Sequence, residues 1–457
     1  MENNQLAPVH NEVNPYGTFL SPTSSEDTTG RTKWVMVALL SLLSCLNQAI
    51  CYTFAPVSHI AELSWGYQIH CTTLITIYFI AYIPFAFVGS WIMDKKGLRF
   101  GVLFGAVLQA AGALVRYVAM FDTFGPHGSM TLLVLGQTLA AIAMPFMVNS
   151  PPMLSALWFP SSQRAMATSI AVNCNQLGIA FVYILCPFFV TSAADVTTWS
   201  GFVAALSLAS AVLAYFFFQA SSKFIHDDVS YEWHQWLSAF HHEGFALTVF
   251  VFSVAETVTN VVSSLLNHLL RGDVFTKAQK GLIGAAFIVS ALIGGQFVSG
   301  YIDGTRLHKI SLIVCLAITG VSLMSFQLAA GATFYGQLYV TMGSLMLAGL
   351  FLGPLQPISL ELGVECSHPT TEATVAALQQ LCGNFLSAIL VPALGMIQHS
   401  VDEIQQADPA ATTTWAQALT TPQSVLSMLI FAAALMFCTF GGTFKRTASE
   451  EASSAPL

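Results

Sequence analysis

The chain has 457 residues, 55% of them hydrophobic and only 8% charged, where roughly a quarter of a soluble domain's residues carry charge. With a mean hydropathy of +0.67 it belongs in a membrane. Its net charge of −8, with 15 basic residues scattered through loops rather than gathered in a patch, excludes a nucleic-acid partner.

Taken in order, residues 1–32 are polar and hold no apolar run, so they are expected to be a disordered cytosolic tail and not a signal peptide. Apolar runs long enough to cross a ~30 Å hydrocarbon layer as helices follow near 34–56, 69–93, 98–120, 130–157, 164–191, 199–220, 244–269, 280–302, 309–331, 336–362, 373–397 and 422–443. These predict an all-α membrane protein of twelve transmembrane helices. Two six-helix halves, 33–220 and 244–443, are joined by a cytosolic linker at 221–243 and followed by a cytosolic tail at 444–457. The linker mixes Asp227, Asp228 and His234 with Trp233 and Trp236, a composition suited to the membrane interface. The nine cysteines lie mostly inside apolar segments (Cys45, Cys51, Cys174, Cys186, Cys315, Cys382 and Cys438) and read as small packing residues rather than a disulfide framework.

The stretch 136–178 is where the chain departs furthest from a plain apolar pattern. Two apolar helices meet at a polar elbow at 159–164, with Pro145, Pro151 and Pro152 in the first and Asn173, Asn175 and Gln176 in the second. Proline frees backbone carbonyls and amides need partners, so inside a bilayer both are expected to face neighbouring helices or a watery cavity. The pattern recurs at an offset of 209 residues: Pro145 maps to Pro354, Pro160 to Pro369, Ser161-Ser162-Gln163 to Thr370-Thr371-Glu372, Asn175 to Asn384 and Asp94 to Asp303. Two halves related by an internal repeat are how many secondary transporters are built.

Orientation follows from the basic residues. With the N-terminus cytosolic, that side holds Arg31, Lys33, Lys95, Lys96, Arg99, Arg164, Lys223, Arg306, Lys309, Lys445 and Arg446, and the other keeps Arg271, Lys277, Lys280 and Arg116. Both termini are therefore expected inside. Two of the cytosolic loops share a design: Asp94 is followed by Gly97 and Arg99, and Asp303 by Gly304 and Arg306. An aspartate ending one helix and an arginine after a tight turn can form a charge-assisted pair, which makes Asp94, Arg99, Asp303 and Arg306 candidate gating residues.

These loops resemble the cytoplasmic motif of the major facilitator superfamily, which follows helix 2 and recurs after helix 8. More narrowly, the chain resembles the feline leukaemia virus subgroup C receptor-related transporters. The resemblance rests on Pro151, Trp158-Phe159, Asn175-Gln176-Leu177-Gly178, Leu265-Leu266-Asn267, Asp94 with Gly97-Leu98-Arg99, and Glu365, Pro369 and Glu372 before helix 11. It implies a major facilitator fold moving haem, or choline and related small amines, by alternating access. Choline-binding members of that family use an aromatic cage with glutamines. At the corresponding positions this chain carries Cys51, Asn260, Met144 and Asn384. Since a quaternary ammonium needs ring faces, choline itself is not expected to bind well.

In place of the cage stand Asn47 and Cys51, one turn apart on helix 1, and Glu256 and Asn260, one turn apart on helix 7. The two pairs are also 209 residues apart, equivalent positions of the two halves. A carboxylate deep in a membrane helix is a functional candidate by default; the other reading is packing glue between helices. Asn175, Gln176 and Asn384 are expected to complete a polar lining.

His59 and His70, and His368 with His399, lie near helix ends where imidazoles could meet iron in passing. No metal-ligand spacing, phosphate-cradling glycine loop or nucleophile elbow occurs, so neither an enzyme nor a bound cofactor is expected. The expected protein is a monomeric transporter of a small organic solute in the plasma membrane or an organelle membrane. A proton-coupled carrier of a vitamin-like solute, or a non-transporting receptor on the same scaffold, is the alternative.

Overall fold

In a computed structural model, residues 26–121, 125–220, 238–270, 274–305, 307–331, 335–368, 370, 372–407, 421–442 and 445 are described. Nearly all of them are helical. The N-terminal half contains α1 (Glu26–Cys51), α2 (Ser58–Ser64), α3 (Cys71–Lys96), α4 (Leu98–Val118), α5 (Gly125–Val148), α6 (Ser150–Trp158), α7 (Ser161–Phe189) and α8 (Asp195–Phe217). The C-terminal half contains α9 (Phe245–Leu269), α10 (Lys277–Thr305), α11 (His308–Gly331), α12 (Gln337–Leu352), α13 (Leu355–Ser367), α14 (Glu372–Ala407) and α15 (Pro422–Cys438).

Eleven helical stretches among the described residues are long and apolar enough to cross a bilayer, and Pro422–Cys438 is a shorter apolar helix of the same kind. Two of the expected spans are broken. The first breaks at Asn149, ahead of Pro151 and Pro152, and the second at Gly353-Pro354. A proline lacks the N–H that the helix ladder needs and its ring crowds the preceding turn, so the chain restarts as a new short helix. The elbow falls where expected: α6 ends at Trp158, Phe159 is extended and Pro160 caps α7. The start of α1 does not, since helix begins at Glu26, inside the stretch read as a disordered tail. The α14 helix also runs on through Ala407, beyond the expected span. Linker residues 221–237, with Asp227, Asp228, Trp233, His234 and Trp236, lie outside the described residues.

The bundle is apolar on both surfaces. Its interior holds fully buried Trp199, Tyr52, Tyr78, Tyr82 and Tyr183, while Phe216, Phe297, Leu328 and Leu435 are exposed on its perimeter, each at 70% or more. Exposed side chains of this kind suit lipid-facing positions.

Within each half the first helix packs on the fifth span: α1 against α7, and α9 against α14. The halves then meet through α7 with α10 and α3 with α14. Residues equivalent by the repeat can touch each other only on the axis that relates the halves. Asn267 donates to Ser58, 209 positions away, at 2.9 Å, and Tyr52 donates to Asn260 Oδ1, 208 away, at 2.9 Å. The axis therefore passes between α1 and α9.

The described cross-half contacts are not evenly spread along that axis. At the end away from the termini, Ser58 meets His268 at 3.1 Å, Lys277 donates to the Thr191 carbonyl at 3.0 Å, and the His70 and His399 rings lie edge to face at 5.1 Å. Toward the end bearing the termini Gln296 donates across the halves to Ser169 at a longer 3.4 Å, while Lys33 to Gln163 (2.8 Å), Arg99 to Phe218 (2.8 Å), Lys309 to Phe440 (2.8 Å) and Lys445 to His242 (3.0 Å) stay within a half. The far end is thus fastened between the halves.

Candidate functional site

Midway along α9, next to the axis, Glu256 is 6% exposed. Its carboxylate is surrounded by amides. Oε1 accepts from Gln380 Nε2 on α14 at 3.1 Å and from Asn260 Nδ2 one turn along α9 at 3.4 Å. Oε2 accepts from Gln356 Nε2 on α13. Asn260 extends the network, donating to Ser387 Oγ on α14 at 3.0 Å and accepting from Tyr52 of the other half. Thr257 and Ser387 hydroxyls close it at 3.2 Å.

Two sequence features let these helices come so close. A side chain at Gly383 would place its Cβ 3.0 Å from Glu256 Cγ, so α14 approaches the carboxylate backbone-first. Gln356 is brought in by the break at Gly353-Pro354, which starts α13 one residue before it. Every donor to the carboxylate is a neutral amide, and among the described residues no salt bridge involves Glu256. Burying an ionised group is tolerable only when it is hydrogen-bonded and balanced. The amides supply the first condition and leave the second to a bound cation or a proton.

The other expected lining residues go elsewhere. Asn47, fully buried, turns into its own half and donates to the Ala140 carbonyl at 3.1 Å. Asn175 donates to the Ser44 carbonyl and hydroxyl at 3.2 and 3.1 Å, binding α7 to α1. These two act as hydrogen bonds between helices, for a polar group inside an apolar bundle takes the nearest carbonyl it can reach. Met144 and Cys51 are buried in the hydrophobic core. Gln176 is half-buried on α7. Asn384 donates to the Gln380 carbonyl of its own helix at 2.8 Å, beside the Glu256 network rather than in it. Of the expected set, the structure brings Glu256 and Asn260 together.

Sequence reasoning passed over Tyr52, Gln356, Gln380 and Ser387. Gln380 sits one turn before Asn384 and Gln356 two residues after the repeated Pro354, and those positions were the available signal. Tyr52 also alters the reading of the missing cage: Cys51 carries no ring, yet its neighbour brings one to Asn260.

Of the expected gating residues, Arg99 donates through Nε to the Phe218 carbonyl, tying the start of α4 to the end of α8. Among the described residues no ion pair joins it to Asp94. Gly97 between them has φ of 86°, the left-handed region that glycine enters without strain. The side chains of Asp303 and Arg306 lie outside the described residues. His70 bonds Glu62 at 3.2 Å, and among the described residues no group of three or more potential ligands could hold a metal.

Two repeated six-helix halves around a buried polar centre define a membrane transporter. Residues 37–392 match the Major Facilitator Superfamily, and the chain belongs to it. It is 28% identical over 380 residues to Solute carrier family 49 member A3 of Xenopus tropicalis, covering 79% of this chain and 77% of that one. It is 24% identical over 401 residues to the choline/ethanolamine transporter flvcr2b of Danio rerio, covering 83% and 80%. Among solved structures, a D-xylose-proton symporter superposes with a TM-score of 0.72 at 12% identity, covering 91% of this chain and 99% of that one. The cargo class follows at the same level: a small organic solute.

Proposed function

We propose that the solute is a small organic amine that keeps at least one N–H, carried by alternating access with Glu256 as its counter-charge. The observation that carries this is a buried carboxylate held only by neutral amides, which leaves a place for one positive charge. A primary ammonium can give its N–H groups to Glu256 and to the amide oxygens around it. A quaternary ammonium cannot, and needs ring faces in number. The choline/ethanolamine relatives support the amine class, and the cage positions occupied by Cys51 and Asn260 favour the ethanolamine-like end of it. Haem is the weaker reading, because His70 is engaged by Glu62.

The same unbalanced carboxylate supports a second reading, proton coupling, in which substrate and proton compete for Glu256. We take both termini as cytosolic from the positions of the basic residues, so the fastened end is the outer one and the conformation faces inward. Asp94, Arg99, Asp303 and Arg306 then form the inner gate, with Arg99 acting on Phe218. The membrane is the plasma membrane or that of an organelle, and the working unit is a monomer.

The test is thermal shift of purified protein against ethanolamine, choline, haem and vitamins, followed by uptake into proteoliposomes. Saturable stabilisation and uptake are expected for primary amines. A response to haem alone, or to choline better than to ethanolamine, rejects the assignment.

A further inference from the structure

Arg116 takes no part in the network around Glu256. It lies near the outer end of α4 and is 4% exposed. Nη1 donates to the Ile50 carbonyl at 3.0 Å, and the guanidinium lies over the Phe54 ring at 5.1 Å. Its Nε is buried and has no hydrogen-bond partner among the described residues. No carboxylate pairs with it among those residues. Glu62, a carboxylate at the same end, is held by the Cys71 amide at 2.8 Å and by His70.

The Ile50 carbonyl belongs to the last turn of α1, and a helix C-terminus offers only about half an elementary negative charge. The Phe54 face adds a weaker attraction. A full positive charge buried among helices therefore stays incompletely balanced, which is costly in a low-dielectric interior.

Arg116 lines a small cleft together with Thr53, Ala113, Ser200 and Val203. Ser200, 5% exposed, brings a second buried polar atom without a hydrogen-bond partner among the described residues. The Thr53 hydroxyl is already committed, donating to the Ala49 and Ile50 carbonyls at 2.8 Å. The space is small and partly open, on the scale of a water molecule or one compact ion. The repeat does not duplicate the arrangement: Ser325, at the equivalent position of the other half, is exposed and bonds its own helix through the Val321 carbonyl.

We propose that this cleft binds a monatomic anion of the halide class, held between the Arg116 guanidinium and the Ser200 hydroxyl. The experiment is thermal unfolding of the purified full-length protein in sodium chloride, bromide and gluconate at equal ionic strength. Chloride and bromide raise the midpoint saturably above gluconate, because only they enter the cleft. Ser200→Ala shifts the halide dependence several-fold to higher concentration, and Arg116→Gln abolishes it. Should Arg116→Gln not fold, Ser200→Ala decides. Equal midpoints in the three salts mean that the cleft holds water only, and overturn the proposal. A halide effect undiminished in Ser200→Ala is a general salt effect and overturns it as well.

Discussion

Helices α1 and α9 are one element used twice, yet they carry different chemistry. At the offset of 209 residues seen directly in the Ser58–Asn267 contact, Asn47 stands opposite Glu256 and Cys51 opposite Asn260. The partners differ in the same sense: Met147, Ala171 and Gly178 in the N-terminal half occupy the positions of Gln356, Gln380 and Ser387 in the C-terminal half. Gly178 lets α7 press onto α1, since a Cβ there would lie 2.1 Å from the Cys45 carbonyl oxygen. Ser387 at the matching crossing offers a hydroxyl to Asn260 and Thr257. The repeat conserves how helices cross, whereas the polar centre is loaded onto one half. A symmetric scaffold does not require a symmetric site.

The largest difference is expected from substituting the two equivalent residues, Glu256 and Asn47. Glu256→Gln keeps the shape but removes the charge and turns one acceptor into a donor, which a flipped partner amide can meet, and it is expected to lower amine uptake about tenfold or more, as loss of a charge-assisted interaction worth about 1.5–3 kcal/mol implies. It should also flatten the pH profile. Asn47→Ala removes one interhelical hydrogen bond and should cost about 0.6 kcal/mol of stability with unchanged substrate affinity. Equal uptake and equal pH profiles for Glu256→Gln and the unmodified protein in proteoliposomes would remove Glu256 from the mechanism.

The two crossings give a second contrast. Gly178→Ala forces a methyl group into a backbone oxygen and should destabilise by about 1–3 kcal/mol, read as a lowered unfolding midpoint. Ser387→Ala, which takes a buried hydroxyl from Asn260 and Thr257, should lower the midpoint less, by about 0.6 kcal/mol for each hydrogen bond lost, and weaken substrate affinity several-fold. The reverse pattern would mean that the N-terminal half carries the site.

A smaller effect concerns the inner end. Asp94→Asn should raise labelling of engineered cysteines from the cytosolic side, and Arg99→Ala, which frees α4 from Phe218, should raise it less. Unchanged labelling in both variants would exclude an inner gate built on these residues.

The smallest effect is a pH dependence of the Lys445–His242 tie. Burial, and then the neighbouring Lys445 ammonium, hold the His242 imidazole below the ordinary 6.5. The folded protein therefore binds fewer protons at this site than the unfolded chain. The tie's contribution is present above the ordinary value and is lost as pH falls through it. Between about pH 7.5 and 5.5 the unfolding midpoint should drop slightly more in the unmodified protein than in His242→Gln.

Much of the architecture was legible because a bilayer restricts what a chain can do. Hydrocarbon forces backbone groups into helices, so apolar run length alone located the spans, and the offset of Pro145 from Pro354 and of Asn175 from Asn384 exposed the repeat. Glu256 and Asn260 were legible because a buried carboxylate and an amide one turn away are rare in an apolar helix. What the sequence could not rank was which amides face the centre. Asn47 and Asn175 look as polar as Gln356 and Gln380, but an amide bonds to whichever carbonyl lies within about 3 Å, and that depends on helix rotation and on where α12 gives way to α13. The start of α1 at Glu26 escaped notice for a related reason: polar residues carry no apolar period, and the helix is continued there from the span it precedes. Chain-wide composition and repeat determined the class of protein, while the tertiary structure decided which of several similar side chains share the carboxylate.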